Sequence, residues 1–293
     1  MRNEITKKIL FVLVLLLLSI ISNGQYFVFF AIWILSTLLL FAARKLKRWQ
    51  GFLFAWIIMG IGYYVGFDIV PFLPLSVSIF ISLVFGLFTS LPYLVDSFFA
   101  KKRNSLLSTL VFPTAAVLAE YAYMHFNQYG SWGHWAYTQQ SQYFLIQSIS
   151  VFGMGYITFL ITWFASVINW AFENRRDWGS VKRGVLVYSL VFGLTFIYGA
   201  YRVQFQKANS ETIRVASISA LDDLRKFDVD FEGLKENVPS NAAKVSFREN
   251  VAKLNQDLID KSIKEANAGA KIVFWAEANG QILKEDETQF YKE

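Results

Sequence analysis

Seven apolar stretches fill residues 1–207, at about 9–21, 26–43, 51–67, 71–99, 106–126, 143–172 and 184–201. Each is near or above the roughly 20 residues a helix needs to cross a bilayer. With 55% of its 293 residues hydrophobic and a mean hydropathy of +0.37, the chain holds more apolar surface than a soluble core absorbs. The pattern specifies a multi-pass α-helical membrane bundle. The first stretch follows Arg2, Lys7 and Lys8 and so looks like a secretory signal, but Ser19-Ile20-Ile21-Ser22-Asn23 is a poor cleavage site. It reads as an uncleaved span, hairpinned to the second at Asn23-Gly24-Gln25.

Lys and Arg flanking short loops stay on the cytoplasmic side. Arg44-Lys45-Leu46-Lys47-Arg48, Lys101-Lys102-Arg103 and the loop from Arg175-Arg176 to Lys182-Arg183 alternate with 23–25, 67–74 and 127–142, which hold no Lys or Arg. With Arg2, Lys7 and Lys8, 14 of the 16 basic residues of 1–207 fall on one side. This predicts a cytoplasmic N-terminus and, after seven crossings, an extracytoplasmic segment 208–293. Residues 1–207 carry 16 Lys and Arg against 6 Asp and Glu, and residues 208–293 carry 12 against 16. The net charge of +6 therefore belongs to the membrane half and does not argue for a nucleic-acid partner.

Residues 208–293 are patterned as an α/β domain. Ile213 to Ser219 reads as a strand, and an Asp-rich stretch from Leu221 to Ser240 follows. A helix over about 241–267 is then expected, with Val251, Leu254, Leu258, Ile259 and Ala266 near the 3.6-residue period. Ser240 or Asn241 serves as its cap and Gly269 as its terminator. The apolar run Ile272 to Ala276 reads as a second, buried strand that ends at Glu277. Strand, helix and strand of this length make one right-handed βαβ unit with parallel strands. Two strands leave one sheet face and both edges bare, so the expectation is the opening part of a larger domain, in a chain cut short within it.

Two motifs, Gly130-Ser131-Trp132-Gly133-His134-Trp135-Ala136-Tyr137-Thr138-Gln139 and Val151-Phe152-Gly153-Met154-Gly155-Tyr156, are followed by a strand–helix–strand ending Gly269-Ala270-Lys271-Ile272-Val273-Phe274-Trp275-Ala276-Glu277. Together these resemble the bacterial apolipoprotein N-acyltransferase family. The resemblance implies a membrane bundle in the cytoplasmic (inner) membrane, joined to an extracytoplasmic nitrilase-like (carbon–nitrogen hydrolase) domain, a four-layer αββα sandwich. It implies a Glu-Lys-Cys catalytic set in which the Cys takes an acyl chain from a phospholipid as a thioester and passes it to the N-terminal amine of an apolipoprotein. The Glu maps to Glu277 as general base. The Lys and Cys find no match, and the chain contains no cysteine. Ala276 stands where the family usually has Pro, and Ser219-Ala220-Leu221-Asp222 where it usually has an Asn/Gln-containing turn, which bears on the substrate more than on the fold.

The residues themselves leave alternatives. A carboxylate at a strand's mouth is partly desolvated and suited to proton abstraction, but a Glu there also caps the next loop. Glu120, inside a span, needs a partner, and Arg202, at comparable depth near the outer end of the last span, is the expected one, with a lipid phosphate as a second contact. A snorkelling Arg202 and a protonated, water-facing Glu120 are the other reading. Trp132, His134, Trp135 and Tyr137 read either as interfacial anchors or as the floor of an acyl-chain portal. Asp222, Asp223, Asp228, Asp230 and Glu232 lack the ordered spacing of a cation loop and read as a solvated segment or a lid. No cofactor or metal is implied, since two histidines and no cysteines supply no ligand set. Two other classes share this outline: a membrane-tethered amidase, and a non-catalytic membrane protein with a partner-binding outer domain.

Overall fold

A computed structural model describes residues 2–24, 27–66, 75–99, 105–128, 130–206, 211–219, 227, 229, 234, 240–276 and 279–290. The chain divides into two compact units, Met1–Lys207 and Ala208–Glu293.

The described elements of the first unit are all helical: α1 (Arg2–Ile21), α2 (Ala31–Lys45), α3 (Arg48–Gly66), α4 (Leu75–Phe98), α5 (Val111–Phe126, entered through a 3-10 turn Leu106–Leu110), the short α6 (Tyr143–Ile146) and α7 (Ile149–Phe152), α8 (Gly155–Glu173) and α9 (Trp178–Phe205). Its core joins five of them through Leu35, Leu39, Ile58, Tyr63, Phe85, Phe112 and Leu160. Large apolar side chains also cover the outside, such as Leu13 and Leu17 on α1 and Leu186, Leu190 and Ile197 on α9. Helices that are apolar within and without are solvated by lipid. Among the described residues four helices, Leu75–Phe98, Leu106–Phe126, Gly155–Glu173 and Trp178–Phe205, have the length and composition to cross a membrane. α1 to α3 fall short of that measure, α2 because its 15 residues span only about 22 Å.

Lipid gives no hydrophobic drive for one helix to pack on another, so close approach between small residues does the work. A Cβ on Gly86 of α4 would sit 2.9 Å from the Gly60 backbone of α3, and one on Gly62 would meet Ser19 of α1 at 2.6 Å. The Trp56 indole N–H, donating to Leu83 O at 2.9 Å, ties α3 to α4 a second time.

One expected span is broken. The single helix read over 143–172 is interrupted at Gly153, whose φ of +74° lies in the left-handed region and ends α7. α8 starts two residues later.

In the second unit, β1 (Val215–Ile218) and β2 (Ile272–Trp275) pair in parallel, Val215 beside Ile272 through Ile218 beside Trp275. α10 (Asn241–Asn267) connects them, and a short α11 (Glu287–Phe290) closes the described chain. The Ser240 side chain accepts from Ala243 N–H at the start of α10. At its end, Gly269 at φ +94° allows Ala270 N–H to reach Glu265 O and Gly269 N–H to reach Ala266 O, a Schellman ending. Ile218, Leu254 and Leu258 form the core of this unit, with Phe227, Val229, Val273 and Trp275 packed against it. The other sheet face leaves Val215, Ile272 and Phe274 about half exposed.

Candidate functional site

The loop from Asn127 to Gln142 is built inward from its backbone. Gly133 has φ +83°, and any Cβ there would land on the Phe85 ring of α4. Only glycine lets the chain turn against that ring. Phe85 in turn contacts Tyr63 of α3, Tyr123 of α5 and Trp132, with ring centroids 5.2, 4.9 and 5.5 Å apart. The next residue, His134, caps a 3-10 turn, Trp135–Gln139, by accepting the Ala136 N–H on Nδ1 at 3.1 Å.

That bond fixes the imidazole. Nδ1 is the acceptor in that bond, which leaves Nε2 to face Glu120. Nε2 lies 3.0 Å from Glu120 Oε2. The contact is close but off the donor axis, and Oε2 is buried without an aligned hydrogen bond. The other carboxylate oxygen is well served: Oε1 accepts the buried Trp135 N–H at 2.9 Å. The Trp135 indole N–H donates to Tyr63 OH at 3.1 Å. Thr138 and Gln139 finish the turn, Thr138 through Trp135 O at 2.7 Å and Gln139 through Phe29 O, just before α2, also at 2.7 Å. Glu120, His134 and Trp135 are thus one buried unit, braced by α3, α4 and α5.

Glu120 does not meet Arg202. The expected pair is replaced because the loop's own N–H reaches Glu120 first, and Arg202 turns instead to Ser150 Oγ of α7 and Tyr198 OH of its own helix. Arg202 has no carboxylate partner among the described residues. His134 has a ring nitrogen committed to backbone and the other against a carboxylate, an arrangement that holds the loop and leaves no free lone pair for proton abstraction. Trp132 and Tyr137 line a cleft of about 330 Å³ together with Asn23, Phe27 and Thr138. Tyr63 and Phe85, which carry much of this site, had no signal in the sequence beyond a Tyr and a Phe inside apolar spans.

In the second unit the strand ends converge. Ala276 N–H and the Asn279 side-chain amide both donate to Ile218 O, at 3.0 Å each. Glu277, between them, lies outside the described residues, as do Asp222, Asp223, Asp228, Asp230 and Glu232.

Residues 14–167, just over half the chain, match the apolipoprotein N-acyltransferase N-terminal domain. The chain belongs to the apolipoprotein N-acyltransferase family. The matched stretch runs from within α1 to within α8 and contains Glu120, Trp132, His134 and Trp135; α9 and the second unit lie outside it. A comparison with curated proteins finds no match. As a member of this family with lipid-exposed apolar helices, the chain is a membrane protein that interacts with lipid.

Proposed function

We propose that this chain is the membrane domain and the opening of the catalytic domain of an enzyme that moves an acyl chain from a phospholipid to the N-terminal amine of lipoproteins. What supports the reading most is the family match over 14–167, on a bundle followed by a parallel βαβ unit. All seven long helices of the first unit cross the cytoplasmic membrane in this reading. The N-terminus is inside and residues 208–293 begin a nitrilase-like domain outside.

Glu277 takes the proton of a thiol as the thiolate attacks the phospholipid ester. The ester C–O bond breaks, the proton passes to the departing alkoxide, and an acyl thioester remains. The lipoprotein amine then attacks the thioester and releases the thiol. The 293 residues contain no cysteine, so in this reading the thiol is not one of this chain's own groups. Trp132 and Tyr137 offer an aromatic surface to the acyl chain, Glu120, His134 and Trp135 hold that surface rigid, and Arg202 faces a lipid phosphate.

The test is the mass of lipoprotein N-terminal peptides from cells with and without the intact gene. N-acylation should vanish on deletion and stay absent when the gene is restored with Glu277→Gln at unchanged protein level. Persistence of N-acylation in the deletion strain would overturn the proposal.

A further inference from the structure

Where α2 and α8 end side by side, a pocket of about 430 Å³ opens between Phe41, Arg44 and Lys45 of α2 and Phe172, Glu173, Arg175 and Arg176 at the close of α8. It lies at the other end of α2 from Phe29, and so roughly 20 Å from the Trp135 loop. The charges here fall into two groups. Arg44 is structural: its guanidinium grips Asp96 of α4 through two bonds of 2.9 and 2.8 Å and reaches Glu173 at 3.3 Å. Lys45, Arg175 and Arg176 have no carboxylate partner among the described residues. Instead Lys45 Nζ lies 3.8 Å over the Phe41 ring and the Arg175 guanidinium 4.7 Å over Phe172, with the two rings 5.7 Å apart and nearly perpendicular.

Three cations without a carboxylate partner among the described residues line one cavity, which favours an anion there. The exposed carbonyls at two helix C-termini carry partial negative charge, which disfavours an anion placed against them alone. The cations overcome that, and their donors match a phosphate's oxygens. The walls add a second requirement, because Phe172 is more than half exposed and both rings present apolar faces beside the charge. A small inorganic ion uses none of that surface. We propose that this pocket binds the phosphodiester headgroup of an anionic membrane lipid, its first methylenes resting on Phe41 and Phe172. Basic pockets between membrane helices take such headgroups. The site is separate from the acyl-transfer reading and stands without it.

The full chain in detergent micelles, titrated with short-chain phosphatidylglycerol and followed by native mass spectrometry, supplies the test. Lys45→Gln/Arg175→Gln/Arg176→Gln should weaken phosphatidylglycerol retention by more than about tenfold and leave phosphatidylcholine retention unchanged. Lys182→Gln/Arg183→Gln, which removes two charges from the adjacent segment, should leave both unchanged. Should the triple variant not fold, each single change is expected to weaken phosphatidylglycerol about threefold. Retention within about twofold of wild type in the triple variant or in all three singles, or equal loss in the Lys182/Arg183 control, would overturn the site. Displacement of the lipid by inorganic phosphate at matching concentration would overturn the lipid assignment and leave a phosphate site.

Discussion

A carboxylate inside a lipid-solvated bundle has to be explained, and at Glu120 the explanation is a backbone amide. Its Oε1 takes the Trp135 N–H, a donor on a residue only 3% exposed. Glu120→Ala should therefore cost about 1–3 kcal/mol, the penalty for an orphaned buried donor, read as a lower unfolding midpoint in detergent. Glu120→Gln should lose less. Its amide oxygen can still accept the Trp135 N–H, while an NH2 group takes the place of Oε2 against His134 Nε2. An alanine variant as stable as wild type would remove Glu120 from the account of this loop. The need for a partner was legible in the sequence, because an ionisable residue amid apolar ones is conspicuous. The partner was not: Arg202 was the nearest cation by depth, whereas the donor in fact comes from a main chain that every residue carries alike.

Elements were legible where their ends are written in side chains. α10 starts at Ser240 and stops at Gly269 because a hydroxyl cap and a left-handed glycine leave few other solutions. The break at Gly153 was hidden, since Val151-Phe152-Gly153-Met154-Gly155 stays apolar across the interruption and hydropathy does not register a change of φ. Contacts between elements were less visible still. Arg44 joins α2, α4 and α8 through Asp96 and Glu173, with the Arg44 and Asp96 side chains only 5% and 4% exposed. Asp96→Ala leaves the buried Arg44 with only the partly exposed Glu173 among the described residues, so it should destabilise the bundle by up to about 3 kcal/mol, measured by thermal unfolding, while Glu173→Ala, whose side chain is 35% exposed, should matter far less. The second unit carries a weaker clasp of the same kind between α10 and the turn before α11. Arg248 donates to Asp286 at 2.7 Å and, with Lys244 nearby, holds that carboxyl below its ordinary value of 3.8. A carboxyl whose folded value is depressed adds stability above the unfolded value and loses it as pH falls through the folded one. The clasp is thus intact at neutral pH and opens only under acid conditions. Arg248→Ala should move the Asp286 titration upward toward 3.8 in a carboxyl NMR titration; an unmoved midpoint would mean the contact does not form in solution.

At the scale of the whole chain, charge asymmetry is what the sequence declares most plainly, with 14 basic residues on one set of loops and none on the alternate set. Positive residues hold loops on the cytoplasmic side, so in the proposed topology of seven crossings the Asn127–Gln142 loop and residues 208–293 lie on the opposite side from Lys182. Four helices meet the strict measure of a span, and the topology turns on whether α1, α2 and α3 cross as well. The absence of cysteine from these 293 residues allows a clean measurement on this chain, because a thiol introduced here is the only one within them. In intact spheroplasts, a membrane-impermeant maleimide should label Ser141→Cys and Ser240→Cys, both at exposed positions, and should label Lys182→Cys only after the membrane is opened. Failure of α9 to cross would reverse the Ser240→Cys result alone, whereas failure of one of α1 to α3 to cross, with the N-terminus inside, would reverse all three. Labelling of Ser240→Cys confined to opened membranes would place the βαβ unit, and Glu277 with it, on the cytoplasmic side, where no lipoprotein amine awaits acylation in the proposed reaction.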